Sequence, residues 1–197
     1  MELFFATGNQ HKVKEMREIL ADTEIKLITA QDIEQDLIEV VEDQDSFKGN
    51  ALKKAKEVFK QLDVATIADD SGLVVDALDG APGVYSARFA GEDASDKENN
   101  QKLLKELEGV ELKERRARFI CAMAFVGPDI EKVVTGSCEG RIINQLRGEN
   151  GFGYDPLFIP DGYDKSFAQL GSVVKNEISH RSRALKKMRI FLEKQLK

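Results

Sequence analysis

Two adjacent carboxylates, Asp69 and Asp70, stand in the stretch ADDSGLVVDALDGAPGVYSAR, residues 68–88. They follow VATIA, Val64 to Ala68, which reads as a buried strand. Like charges side by side raise each other's proton affinity, so a chain that ends a strand on both must compensate them. If the backbone stays extended, the two side chains point to opposite sides and only one need face a ligand. A hard divalent cation such as Mg2+ is one compensation, because it takes oxygen ligands and shares its shell with substrate phosphates. Glu39 or Glu42, in the acidic segment Asp32 to Asp45, would supply the second metal carboxylate. The remaining carboxylate of the doublet could orient or deprotonate a water. The alternative reading is an acidic turn in which one Asp caps backbone amides.

Three other stretches carry residue types suited to a nucleotide. TGNQHK (7–12) joins a buried strand to a helix start, where backbone N–H groups face an anion. Thr7 and Asn9 add side-chain donors and Lys12 a point charge, although the GxxxxGK[ST] pattern of a P-loop is absent. In GFGYDP (151–156), glycines flanking Phe152 leave both ring faces open to a planar ligand, and Asp155 could accept from a ring N–H. In KNEISHRSRAL (175–185), Ser179 caps a helix whose first turn carries His180 and Arg181, with Lys175 just upstream. Taken singly, each has a plain structural reading: a capped turn, a glycine turn with a core aromatic, a structural histidine. Ser71 adjoins Asp70 in ADDSG, not in a GxSxG nucleophile elbow, and reads as a hydroxyl or phosphate ligand.

Several elements must position these groups. Glu2 to Ala6 reads as a buried strand, and Val13, Met16, Ile19 and Leu20 mark a helix from Gln10 to Ala21 capped by Asn9. Lys26 to Thr29 is a second strand. Phe47, Ala51, Ala55, Val58, Phe59 and Leu62 mark a long amphipathic helix that starts at Asp45 or Ser46. Leu73 to Leu78 is extended, GAPG turns the chain, and Leu103, Leu104 and Leu107 give a short helix. Arg116 to Val126 and Lys132 to Cys138 read as paired strands, Leu157 to Ile159 as another, and Ser179 opens the last helix. Strands alternating with helices, then consecutive strands, imply an α/β fold with a mixed sheet. Ligands in such folds sit beyond strand carboxyl ends, where TGN, ADDSG and GFGYD would fall.

Composition narrows the function classes. The 197 residues suit one domain, and 42% hydrophobic content supports a sizeable core. The formal charge of −6 argues against non-specific polyanion binding. From Lys175 onward there are eight Lys/Arg against two Asp/Glu, so the body carries about −12, an acid body with a basic tail. Cys121 and Cys138 lie in strand patterns and form no CxxC, as expected of buried thiols in a reducing compartment. With no signal-peptide pattern and no apolar run of membrane-spanning length, the expectation is a soluble cytoplasmic protein.

Together, TGNQHK, SFKGNALKKA, ADDSGLVVDALDGAPGVYSAR, GFGYDPLF and KNEISHRSRAL, in this order, closely resemble the inosine triphosphatase family. These house-cleaning pyrophosphatases act on deaminated purine nucleoside triphosphates. The resemblance runs from Ala6 to Leu185, and its ADDSG and SHR blocks are highly specific. It implies hydrolysis of ITP, dITP or XTP to the monophosphate and pyrophosphate with Mg2+; a related pyrophosphatase of modified pyrimidine triphosphates is the alternative. It further implies that Thr7, Gly8, Asn9, Gln10, His11 and Lys12 hold the phosphates, and that Asp70 is base and metal ligand. Glu39 would be the second metal ligand, with Glu42 its rival because IEVVED departs from the commoner spacing. Ser71 would touch the substrate, Phe152, Gly153, Tyr154 and Asp155 would form the base pocket, and Lys175, His180 and Arg181 would close it. Lys54, one turn after Asn50, is a further phosphate candidate. The implied fold is an elongated mixed β-sheet flanked by helices, a single bilobal domain over 1–197 with two lobes and a central cleft. The implied assembly is a homodimer with a nucleotide substrate and no nucleic-acid or membrane partner.

Overall fold

The structure, a computed structural model, describes residues 2–33 and 40–195. The expected mixed sheet is present: six strands in the order β2-β1-β3-β4-β5-β6. They are β1 (Glu2–Phe5), β2 (Lys26–Ile28), β3 (Thr66–Val75), β4 (Arg116–Gly127), β5 (Ile130–Ile142) and β6 (Phe158–Pro160). β1 is parallel to both β2 and β3, while β5 and β6 are antiparallel. The helices are α1 (Gln10–Leu20), α2 (Phe47–Leu62), α3 (Asp96–Glu106), α4 (Phe167–Ile178) and α5 (His180–Gln195).

The chain forms two compact units. The first comprises residues 1–70, 121–136 and 181–197; the second comprises 71–120 and 137–180. In the first unit, strand alternation sorts side chains between two cores. Leu3, Phe5, Ile67, Cys121, Met123 and Phe125 pack with Val13 and Met16 of α1 and Leu185 and Met188 of α5. Their neighbours Phe4, Ala6, Ala68, Ala122, Ala124 and Val126 face the other way, onto Ala51, Ala55 and Val58 of α2. The alanines on both sides of that contact let α2 lie close to the strands. Ser46 caps α2, its hydroxyl accepting from the Gly49 N–H at 3.1 Å.

The second unit is built around Leu73, Val75, Leu103, Phe119, Phe158 and Phe167. Phe119 meets Phe158 edge-on, with ring centroids 4.8 Å apart. Ser95 with Glu98 and Ser166 with Gln169 form capping boxes that start α3 and α4. Helix α4 has no counterpart in the sequence reading. Gly171, at φ 77 and ψ 174, breaks it into two short helical pieces, so the sequence shows no sustained helical period there.

Candidate active site

The doublet Asp69-Asp70 lies inside β3, not at its end, because the strand continues unbroken from Thr66 to Val75. The expectation of a strand terminus fails for a physical reason: each carboxylate is compensated where it stands. Alternation sends them to opposite faces. Asp69 shares its face with Ile67 and is fully buried. Its Oδ1 pairs with the Lys12 ammonium at 3.1 Å, and its Oδ2 accepts from Arg181 Nε at 3.2 Å. The Cys121 thiol lies 3.8 Å from the same Oδ2. Arg181, itself buried, also donates through Nη1 to Glu15. A cation in the first turn of a helix opposes the helix dipole, and the two carboxylates offset that cost. On the α2 face, Asp70 Oδ2 accepts from Asn50 Nδ2 at 2.9 Å. Asn50 Oδ1 in turn accepts from the Gln44 N–H at 2.9 Å, tying the acidic segment to the same helix.

These surroundings drive the two acids apart. Burial alone would raise the pKa of Asp69, but the charges of Lys12, Arg181 and Lys54 outweigh it and hold the carboxyl far below the usual range. Burial and the nearby Glu42 charge push Asp70 up to about 6, against the opposing Asn50 hydrogen bond and the Lys12 and Lys54 charges. Asp69 is thus a permanent anion, and Asp70 a carboxyl able to take up a proton near neutrality. Burial and the Asp69 charge also push the Cys121 thiol far up, which keeps it protonated and inert.

Of the remaining first-unit residues, the structure brings Lys12 and Lys54 to this pair. Asn9 caps α1, its Oδ1 accepting from the N–H groups of His11 (3.0 Å) and Lys12 (3.2 Å). Two first-turn amides expected to face an anion are therefore engaged by the cap. Gly8, Asn9, Gln10 and His11 are exposed, and Thr7 Oγ1 accepts from the Asn9 N–H. Lys54 pairs with Glu42, and although burial opposes its charge, Glu42, Asp69 and Asp70 raise its pKa. Glu39 lies outside the described residues. Among the described residues no group of three His, Cys, Asp or Glu side chains could hold a metal alone. A buried acid raised by a neighbouring acid nevertheless fits a hard cation that takes one or two carboxylates and completes its shell with phosphates.

A second group forms in the other unit. Lys175 Nζ donates to Asp155 Oδ2 at 2.6 Å, and both side chains are buried. The same ammonium stands 4.6 Å from the Phe152 ring centroid, so a cation already occupies the ring region expected to lie open on both faces. Asp155 Oδ2 accepts also from the Phe152 N–H at 3.0 Å. Tyr154 is buried and donates to the Ser86 carbonyl at 2.9 Å. The His180 ring stacks on Phe119, with centroids 4.8 Å apart. Ser71, half-buried, follows Asp70 in β3. Arg181, grouped in the sequence with Lys175 and His180, engages Asp69 and Glu15.

Gly151 makes this loop possible. It sits at φ +81, and a Cβ there would fall 2.1 Å from Asp155 Oδ2. Gly151→Ala is expected to displace that carboxylate and destabilise the protein by roughly 1–3 kcal/mol in urea unfolding, combining left-handed strain with a broken buried pair. An unchanged midpoint would show that Asp155 is not fixed by this contact.

The sequence profile of the Ham1 family matches residues 3–191. The chain belongs to the Ham1 family. A Bacillus anthracis protein named dITP/XTP pyrophosphatase is 47% identical over 190 residues, covering 95% of this chain and 94% of that protein. The solved structure of the Staphylococcus aureus Ham1 protein superposes with a TM-score of 0.87 at 41% identity, over 99% of this chain and 100% of that one. A Ham1 protein from Coxiella burnetii gives a TM-score of 0.88 at 38% identity, over 98% and 99%. Within this Ham1 chain, sequence reasoning overlooked Glu15 and met Asn50 only as a marker, while Cys121 is the buried thiol it was expected to be. Asn50 carried a signal, being a poor helix former on the buried stripe of α2. Glu15 carried none, since a charged residue on an amphipathic helix reads as solvated surface.

Proposed function

We propose that this chain hydrolyses deaminated purine nucleoside triphosphates (ITP, dITP and XTP) to the nucleoside monophosphate and pyrophosphate, with Mg2+ as cofactor. The observation that supports the reading is the contrast within the doublet: Asp69 is held by Lys12 and Arg181, while Asp70, on the other face, meets Asn50. The names of its Ham1 relatives support the substrate class. When bound, Mg2+ would supply charge neutralisation on the polyphosphate and acidify a coordinated water. Asp70, with Glu39 or Glu42, would hold it.

Water attacks the α-phosphorus, the bond from that phosphorus to the bridging oxygen breaks, and pyrophosphate departs with the bond's electron pair. Asp70 accepts the proton lost by the water. Lys12, Lys54 and residues Thr7 to His11 neutralise and orient the phosphates. Asp69 fixes the Lys12 ammonium while doing so.

Phe152, Gly153, Tyr154 and Asp155, with Lys175, His180 and Arg181, recognise the base, and Ser71 contacts the substrate. Donors at His180 and Arg181 suit the C6 oxygen of hypoxanthine or xanthine, whereas the adenine amino group offers them no acceptor at that position. Each such mismatch costs roughly 1–3 kcal/mol, a tenfold to hundredfold rejection. The proposal includes a cytoplasmic homodimer without nucleic-acid or membrane partners. The acidic balance of the chain supports it, and no helix among the described residues is long and apolar enough to cross a membrane.

The test is a product assay across ITP, dITP, XTP, ATP, GTP and a modified pyrimidine triphosphate, with Mg2+ and with a chelator. The expected result is monophosphate plus pyrophosphate from the deaminated purines, lost on chelation. Orthophosphate as first product, or a preference for the pyrimidine, would overturn the reading.

A further inference from the structure

Loop 148–155 is anchored from a side that nothing in its own sequence announces. The first turns of α3 hold Gly153 by both of its backbone polar groups. Asp96 Oδ2 accepts from the Gly153 N–H at 2.6 Å, and Asn100 Nδ2 donates to the Gly153 carbonyl at 2.8 Å. The same Asn100 amide donates to the Asp96 carbonyl at 2.7 Å, so two acceptors fix its orientation. Asn100 is buried, and its Oδ1 has no hydrogen-bond partner among the described residues. A buried acceptor left over is an unusual cost for an asparagine in a helix interior, where an apolar residue would pack better. Gly153 sits at φ +59, a left-handed conformation that the two anchors hold in place. Its neighbours Phe152 and Tyr154 carry the ring and the buried hydroxyl of the loop.

The same helix reaches a second segment. Asn99 Oδ1 accepts from the Ala90 N–H at 2.8 Å and Asn99 Nδ2 donates to the Ala87 carbonyl at 2.9 Å. Tyr154, through its bond to the Ser86 carbonyl, meets that segment from the loop side. Ser86 Oγ accepts from the Leu73 N–H of β3 at 2.9 Å. Side-chain hydrogen bonds therefore link strand β3, the turn that follows it and the Gly153 loop, and α3 binds both the turn and the loop.

We infer that Asp96 and Asn100 are positioning residues for base recognition: by clamping Gly153 they set the placement of Phe152 and hence the fit of the nucleotide ring. This rests on the reading of Phe152 to Asp155 as the base pocket. Neither residue takes part in bond making, so the clamp acts on substrate binding and selectivity and leaves the chemical step alone.

The test measures kcat and KM for ITP, and the ITP to GTP ratio of kcat/KM, in Asp96→Ala, Asp96→Asn, Asn100→Asp and Phe152→Ala. Asp96 is exposed, so its variants retain the fold. Asp96→Ala and Asn100→Asp should raise KM about tenfold, the value of one hydrogen bond lost from the loop, with kcat within about twofold. Asp96→Asn keeps an acceptor for the Gly153 N–H and should return KM to within about threefold of the parent. Phe152→Ala should raise KM at least as much as either clamp variant. The inference is overturned if Phe152→Ala raises KM while the clamp variants leave it at the parent value. It is likewise overturned if the clamp variants lower kcat with no rescue by Asp96→Asn. If Phe152→Ala itself leaves KM unchanged, the base-pocket reading falls, and the inference with it.

Discussion

Asp70→Asn is expected to lower turnover of ITP by about 10³-fold while making the metal-free protein harder to unfold. The first half follows from removing the group assigned to take the proton of the attacking water. The second follows from the environment of that group. Burial and Glu42 lift its carboxyl to about 6 from an ordinary 3.8, so at neutral pH the fold carries a charge that its surroundings disfavour. The penalty is on the order of 1–3 kcal/mol, and the neutral amide of asparagine escapes it while still accepting from Asn50. The sign is specific. A raised acid costs nothing below the unfolded pKa, costs progressively more between about 4 and 6, and its full amount above. The gain in unfolding free energy of the variant, measured in chelator by denaturant titration, should follow that course. Full activity in Asp70→Asn would remove the assigned base, and a loss of stability at neutral pH would refute the account of its environment.

Arg181→Met should be the most damaging of these substitutions to the fold. It leaves Asp69 buried with the Lys12 ammonium and without the guanidinium that also holds Glu15. Removing one partner of a buried ion pair costs about 3–5 kcal/mol, which for a chain of this length lowers Tm by about 10 °C. Arg181→Lys should recover only part of the loss, because an ammonium cannot reproduce the planar two-nitrogen grip on two carboxylates. In the parent, the stability contributed by the depressed Asp69 is complete above the ordinary carboxylate pKa of 3.8 and is lost as pH falls below it. The parent and Arg181→Met should therefore converge in acid and separate above about pH 4. Thermal unfolding between pH 3 and 8 checks this, and a Tm within about 2 °C of the parent at pH 7 would show that Lys12 alone balances Asp69.

Local periodicity made much of the fold legible. β1, α1 and α2 lie within a residue or two of the expected spans because their apolar residues repeat cleanly and Asn9 and Ser46 cap the helices. What escaped was set by partners remote in sequence. Two consecutive aspartates look like the end of a strand when the cations that neutralise them stand elsewhere, Arg181 being 112 positions from Asp69. The same distance explains why His180 and Arg181 read as one motif although their side chains meet different neighbours, Phe119 for one and the Asp69 group for the other. Composition and motif order pointed to the chemistry of Asp70. Its contrast with Asp69 became visible only once burial and neighbours were known.

The alternation of β3 has a consequence for how the gene can change. One residue inserted or removed between Thr66 and Asp69 would exchange the two aspartates between faces, presenting the wrong carboxylate to Lys12 and the wrong one to Asn50. Substitution can be absorbed at many positions of this strand, but a shift of odd length in its reading along the sheet cannot.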